Sequence, residues 1–179
     1  MASQLPKSLR DPEKYSELKL LEAVEELYLG VKMLKEGYSR NAANKLFLSW
    51  KALLSSLVAS NFDKVVGKKL REGKVEEAEW YRRVGYTAPT TGLVGISKDL
   101  EDLGYNGLIA LTTAMLGLHK YAYNGLDPDM GPFPSRREAV TAIRGLALEE
   151  VKLISSLELN AEQREALERV KRELEALGQ

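Results

Sequence analysis

Residues 37–57 read GYSRNAANKLFLSWKALLSSL, and the spacing of the oily side chains in this stretch decides the fold class. Ala43, Leu46, Phe47, Trp50, Leu53, Leu54 and Leu57 recur at steps of three and four, the period that lines one face of an α-helix. A second row, Ser49, Ala52 and Ser56, is made of small side chains, so another helix can approach closely there. Gly37 is a natural stop for whatever precedes it.

Upstream, Leu20, Val24, Leu27, Val31 and Leu34 repeat the same period. Asp11 followed by Pro12 reads as an N-cap with proline at the first helical position. The spacing predicts a helix from about 12 to 36, roughly 36 Å long at 1.5 Å per residue. It meets the next helix after almost no loop, which makes the two antiparallel neighbours. Downstream, residues 60–85 are more polar, and REGKVEEAEWYRR predicts one short helix over about 74–83. After GYTAPTTG a new helix is expected from near Pro89 to about Leu103-Gly104. The next carries Leu108, Leu111, Met115, Leu118 and Ala122 and ends near Tyr123-Asn124-Gly125. Three prolines and a glycine make 126–134 a loop. Ser135 with Glu138 is a capping box opening a helix to about Leu157, and Asn160 with Gln163 repeats that signal. The last helix carries Leu167, Val170, Leu174 and Leu177. No stretch shows the alternation of a strand.

These patterns predict an all-α protein: one helical-bundle domain over 1–179, with a core over about 12–157, additional short helices, and a C-terminal helix over about 160–177. The chain has 26 basic and 26 acidic side chains, so it lacks the bulk positive field of many nucleic-acid binders, and any such site must be a local patch. There is no cysteine, which removes disulfides and thiolate chemistry. No apolar run reaches the roughly 18–20 residues of a membrane helix, and MASQLPKSLRDPEKY lacks the apolar core of a signal peptide. A soluble, cytoplasmic protein is expected.

Few motifs carry chemistry. His119 is the single histidine, in a helical row with Thr112, Leu116 and Tyr123. It reads either as a general base or RNA contact, or as a half-buried side chain near a helix C-terminus. Arg40, Asn44 and Lys51 fall on one stripe. This is either a phosphate-binding row, arginine offering a planar fork of donors, or the wet edge of an amphipathic helix. Arg82-Arg83 and Arg136-Arg137 lie close to Trp80, Tyr81, Tyr86, Tyr121 and Tyr123, which reads either as a single-strand RNA surface, if the two loops meet at one end of the bundle, or as ordinary surface. Asp127, Asp129 and Glu138 match three positions of a calcium loop, but Pro132 occupies the glycine position, so a rigid Asp-Pro turn is expected instead. Eight acids between Glu149 and Glu175, Glu150 among them, interleave with five bases. They read as a solvated face with pairs such as Glu165–Arg169 and Glu168–Arg172. The chain contains no GxGxxG, GxSxG or HExxH motif.

Three stretches, GYSRNAANKLFLSWKALLSSL, WYRRVGYTAPTTGLVGISKDLEDLG and LHKYAYNGLDPDMGPFPSRREAVTAIRGL, resemble the archaeal PaREP family, a relative of the HEPN superfamily. The resemblance implies an up-and-down four-helix core, homodimerisation, and RNA or nucleotide handling, including metal-independent ribonucleases and toxin-system components. The nuclease members carry an arginine four to six residues before a histidine on one helix. Here LTTAMLGLH supplies His119 without the arginine, which argues against nuclease activity.

The expected function is therefore non-catalytic binding of RNA or a nucleotide by a dimeric bundle. The candidate ligand-binding residues are Arg40, Asn44, Lys51, Arg83, His119, Tyr123 and Asn124. His119 is the one candidate for catalysis, and no metal or cofactor is implied. The alternatives are a divergent ribonuclease or toxin-system component, using His119 with Arg83 or Arg40, and a protein–protein scaffold that docks through its last helix.

Overall fold

The computed structural model describes residues 10–177, and helices make up its regular structure. Among the described residues there are eight α-helices and no strand: α1 (Pro12–Lys35), α2 (Ser39–Ser60), α3 (Phe62–Arg71), α4 (Val75–Arg83), α5 (Leu93–Glu101), α6 (Leu108–Asn124), α7 (Arg136–Ser155) and α8 (Ala161–Ala176). Most of the N-terminal stretch examined for a signal peptide lies outside the described residues.

Local signals explain most boundaries. The Asp11 carboxylate accepts from Lys14 N at 3.0 Å and caps α1. At the other end Tyr38 N reaches Met33 O and Gly37 N reaches Leu34 O, with Gly37 at φ +89°. This paired closure needs a left-handed residue, which glycine supplies without a Cβ clash. Ser135 accepts from Glu138 N at the start of α7, and Asn160 and Gln163 form the full reciprocal box at the start of α8. The apolar faces then carry the packing that holds these helices.

Two sequence expectations are corrected. Residues 60–85 hold a second helix, α3, whose buried residues Phe62, Val65, Val66 and Lys69 keep a helical spacing. A lysine inside the apolar stripe hid it. The helix expected from Pro89 begins instead at Leu93, because Pro89 is extended at ψ 144° and Ala88 is left-handed at φ 49°. Two short 3-10 turns, Gly85–Thr87 and Thr90–Gly92, fill the gap. They wrap the indole of Trp80. A Cβ at Gly85 would stand 2.5 Å from that ring, and one at Gly92 would stand 2.7 Å from it.

The described chain forms two compact units, the first within Met1–Leu20 and Lys51–Ala110, the second within Leu21–Trp50 and Leu111–Gln179. In the first, the small row of α2 does what its residues suggest. Ser56 and Ser16 exchange hydrogen bonds to each other's carbonyls at 2.9 Å, so here each helix's serine reaches the backbone of the other. Leu57, Phe62, Tyr81, Leu93, Ile96 and Leu100 are buried in this unit. In this core Lys69 donates to Asp99 at 2.7 Å and to Glu77 at 2.6 Å, and Tyr81 donates to Asp99 at 2.7 Å.

In the second unit Ser49 continues the small row against α1, donating to Ala23 O at 2.7 Å. Trp50 is fully buried and its indole N–H reaches Thr112 at 2.8 Å, as a buried indole requires. Leu167, Val170 and Leu174 of α8 are buried within this same chain. Arg169 pairs with Glu25 of α1 at 2.5 Å, and Glu168 with Lys171 at 2.7 Å. The pairs expected within α8 give way: Glu165–Arg169 because α1 brings Glu25 into reach of Arg169, and Glu168–Arg172 because Lys171 takes Glu168.

Candidate functional site

The first half of α2 and the last turn of α6 build the site, both in the second unit. Arg40 stands one residue into α2. Its Nε and Nη2 donate to Ala122 O at 3.1 and 2.9 Å, and Nη2 also donates to Tyr123 O at 2.6 Å. The guanidinium thus closes the C-terminus of α6, where orphan carbonyls and the negative end of the helix dipole favour a cation. The Nη1 donors make no hydrogen bond among the described residues, and no carboxylate pairs with Arg40 there.

Around this clamp lies an open cavity of ≈ 410 Å³ lined by Met33, Arg40, Asn41, Asn44, Lys45, Ala122 and Tyr123. Its size falls within the roughly 300–1,000 Å³ of small-molecule sites. The side chains of Asn41 and Asn44 make no hydrogen bond among the described residues, so their amides face the opening with donors and acceptors unused. Lys45 is held by Glu26 at 2.7 Å. Tyr123 is 71% exposed, an aromatic face offered to solvent at the rim. Behind it His119 meets the Tyr123 ring edge-on at 5.0 Å and stacks on Phe47 at 4.2 Å. The imidazole is packed between two rings, which orients Tyr123 from behind.

Four predicted residues, Arg40, Asn44, His119 and Tyr123, therefore gather here. Asn124 turns away and donates to Met130 O at 3.1 Å, tying down the loop that follows. Lys51 and Arg83 belong to the other unit. Of the basic pairs, Arg82 is bonded to Glu79, and Arg136 donates to Gly37 O. Asp127 accepts from the backbone N–H groups of Asp129 and Met130 at 3.0 and 2.8 Å. It forms the rigid turn expected of Asp-Pro, and this turn packs its own backbone against Gly131.

The residue pattern legible in the sequence matches the archaeal PaREP1/PaREP8 family model over residues 18–144. The chain belongs to the archaeal PaREP1/PaREP8 family. That span covers α2, the α6 terminus and the Asp127 turn, so the whole candidate site lies inside the family region. No curated protein and no solved structure matches the chain. No described helix is long and apolar enough to cross a membrane.

Sequence reasoning missed Asn41 and Lys45 at this candidate site, although 41, 44 and 45 share a helical face as plainly as 40, 44 and 51 do. It also counted Glu150 among the solvated acids, whereas Glu150 is completely buried. The signal was present: Glu150 sits three and four residues from Ala147, Leu146 and Ile154, on the apolar face of α7.

A second cavity of ≈ 360 Å³ lies in the first unit, lined by Glu76, Glu77, Trp80, Tyr81, Gly92, Gly95 and Asp99 among others. Its three carboxylates disfavour an anion. The Arg40 cavity, with a guanidinium that no carboxylate pairs among the described residues and two amides without hydrogen bonds there, is the one suited to a phosphate-bearing ligand.

Proposed function

We propose that this protein binds RNA or a nucleotide, without catalysis, at the Arg40–Asn44–Tyr123 cavity. The observation that supports the reading is the convergence of an arginine lacking a carboxylate partner, two unengaged carboxamides and an exposed tyrosine on one opening. Arginine suits a phosphate, an asparagine amide suits a base edge, and a tyrosine face stacks on a base. The parent architecture we propose is HEPN-like, with a four-helix core and two copies associating as a homodimer. A neutral chain then relies on this local patch, and affinity should be modest and salt-sensitive.

The test is fluorescence anisotropy with a short labelled single-stranded RNA and with labelled AMP, at low and high salt. Tyr123→Ala and Asn44→Ala are the informative variants, since Tyr123 is largely exposed and the Asn44 side chain makes no hydrogen bond among the described residues. The expected result is binding that each variant weakens. Loss of one stacked base corresponds to about 1–3 kcal/mol, or roughly five- to a hundredfold. Affinity at low salt no greater than that of an unrelated neutral protein, or equal affinity in wild type and both variants, rejects the reading. Light scattering of the same samples tests the dimer.

A second reading is favoured by one contact. His119 lies edge-on behind the same Tyr123 that lines the cavity, with ring centroids 5.0 Å apart. A divergent metal-independent ribonuclease, with Arg40 as its cation, is the corresponding proposal, in the manner of toxin-system enzymes. Incubating RNA with wild type and His119→Ala decides it: equal cleavage, or none, removes the role.

A further inference from the structure

Glu150 is the one fully buried carboxyl among the described residues whose surroundings supply no cation. Its Oε1 lies 2.6 Å from Ser49 Oγ, and Ser49 Oγ lies 2.7 Å from Ala23 O. Its Oε2 has no hydrogen-bond partner. A serine hydroxyl carries a single hydrogen. With Glu150 ionised, that hydrogen has two acceptors to serve and satisfies only one of them, leaving a buried carboxylate nearly bare. With Glu150 protonated at Oε1, both short contacts are accounted for: the acid donates to Ser49 Oγ, Ser49 passes its own hydrogen to the Ala23 carbonyl, and the partnerless Oε2 is left as an uncharged carbonyl oxygen.

The charges on the surrounding helices do not change this. On α1, Glu25 pairs with Arg169 of α8, and Glu26 pairs with Lys45 of α2. On α7 itself, Glu149 pairs with Lys152 on the solvent side. On α6, His119 is stacked on Phe47. None of these groups bonds to Glu150.

We propose that the folded protein carries Glu150 as a neutral carboxylic acid in a relay from α7 through Ser49 of α2 to Ala23 of α1, and that loss of this proton loosens the second unit as the medium turns alkaline. Burial pushes the acid up to about 8 from the ordinary glutamate value of 4.5, even with the Ser49 hydroxyl in reach. Below that ordinary value both folded and unfolded chains hold the proton, and the contribution to stability is complete. Between the two values the unfolded chain releases the proton while the folded one keeps it. Folding then takes up a proton, and stability falls as pH rises. Above the folded value the acid is ionised in both states and the loss is complete.

Two measurements on the full chain test the relay. Urea unfolding at pH 5, 6, 7 and 8 should show the wild-type folding constant falling by up to about tenfold per pH unit. Glu150→Gln keeps the shape and a donor for Ser49 but cannot ionise, so it should lack that component over the same window. An equal slope in both proteins overturns the proposal. Infrared spectroscopy of the wild type needs no variant to fold. One protonated-acid carbonyl band should persist at pH 6–7, where exposed carboxylates are ionised, and disappear near pH 8. A spectrum in which all carboxyl groups are ionised by pH 6 overturns the proposal as well.

Discussion

Two buried acids, one in each unit, are handled in opposite ways. Asp99 accepts from the Lys69 ammonium and the Tyr81 hydroxyl, so both of its oxygens have donors. Burial works against the charge on Lys69, yet its bonds to Asp99 and Glu77 outweigh that and hold the ammonium above its ordinary value. Burial, reinforced by the bond to Asp99, pushes Tyr81 up and keeps it a donor. Glu150 has one hydroxyl and no cation. The difference teaches that depth alone does not set the charge of a buried carboxyl in this protein; the supply of donors does.

The sharpest way to break the contrast is Lys69→Met, which gives Asp99 surroundings like those of Glu150. Removing one partner of a buried ion pair typically costs about 3–5 kcal/mol, and urea denaturation at pH 7 should register a loss of that order. A much smaller loss would mean that the Tyr81 hydroxyl alone suffices as a partner for Asp99.

Ser49→Ala probes the other acid. It strips Glu150 of its one hydrogen-bond partner among the described residues and leaves a buried polar group unsatisfied, at about 1–3 kcal/mol. Denaturation should show this loss as smaller than that of Lys69→Met. Parity between the two would show that the Glu150 relay matters as much as the ion pair. The smallest effect belongs to an exposed counterpart. Bonds from Lys68, then Lys98, hold the Asp102 carboxyl at about 2. Solvent and salt screen such a pair, so Asp102→Asn should leave the melting temperature at pH 7 unchanged within error. A clear drop would show that the surface pairs of the first unit act as a network.

Several elements were legible because their causes are local. α1 is framed by Asp11-Pro12 and Gly37, α7 by Ser135, and α8 by Asn160 with Gln163. α3 escaped notice because Lys69 interrupts its stripe, and the reason a lysine is tolerated there lies on Asp99, thirty residues away. α5 starts late because Trp80 sits where Gly85 and Gly92 leave room for it, a contact that no window of sequence displays. At the site, the 40–44 row and the 119–123 row were each visible. Their meeting, and the use of Arg40 to close α6, were not.

Sequence alone determined that this protein is helical and that it belongs to the PaREP1/PaREP8 family, since helical period, caps and family pattern are all written in residue order. Only tertiary structure decided which charged side chains are buried, which are clamps and which remain available. Those outcomes depend on donors and acceptors that arrive from distant parts of the chain. The electrostatic cost of each group is set by that company, which residue order does not reveal.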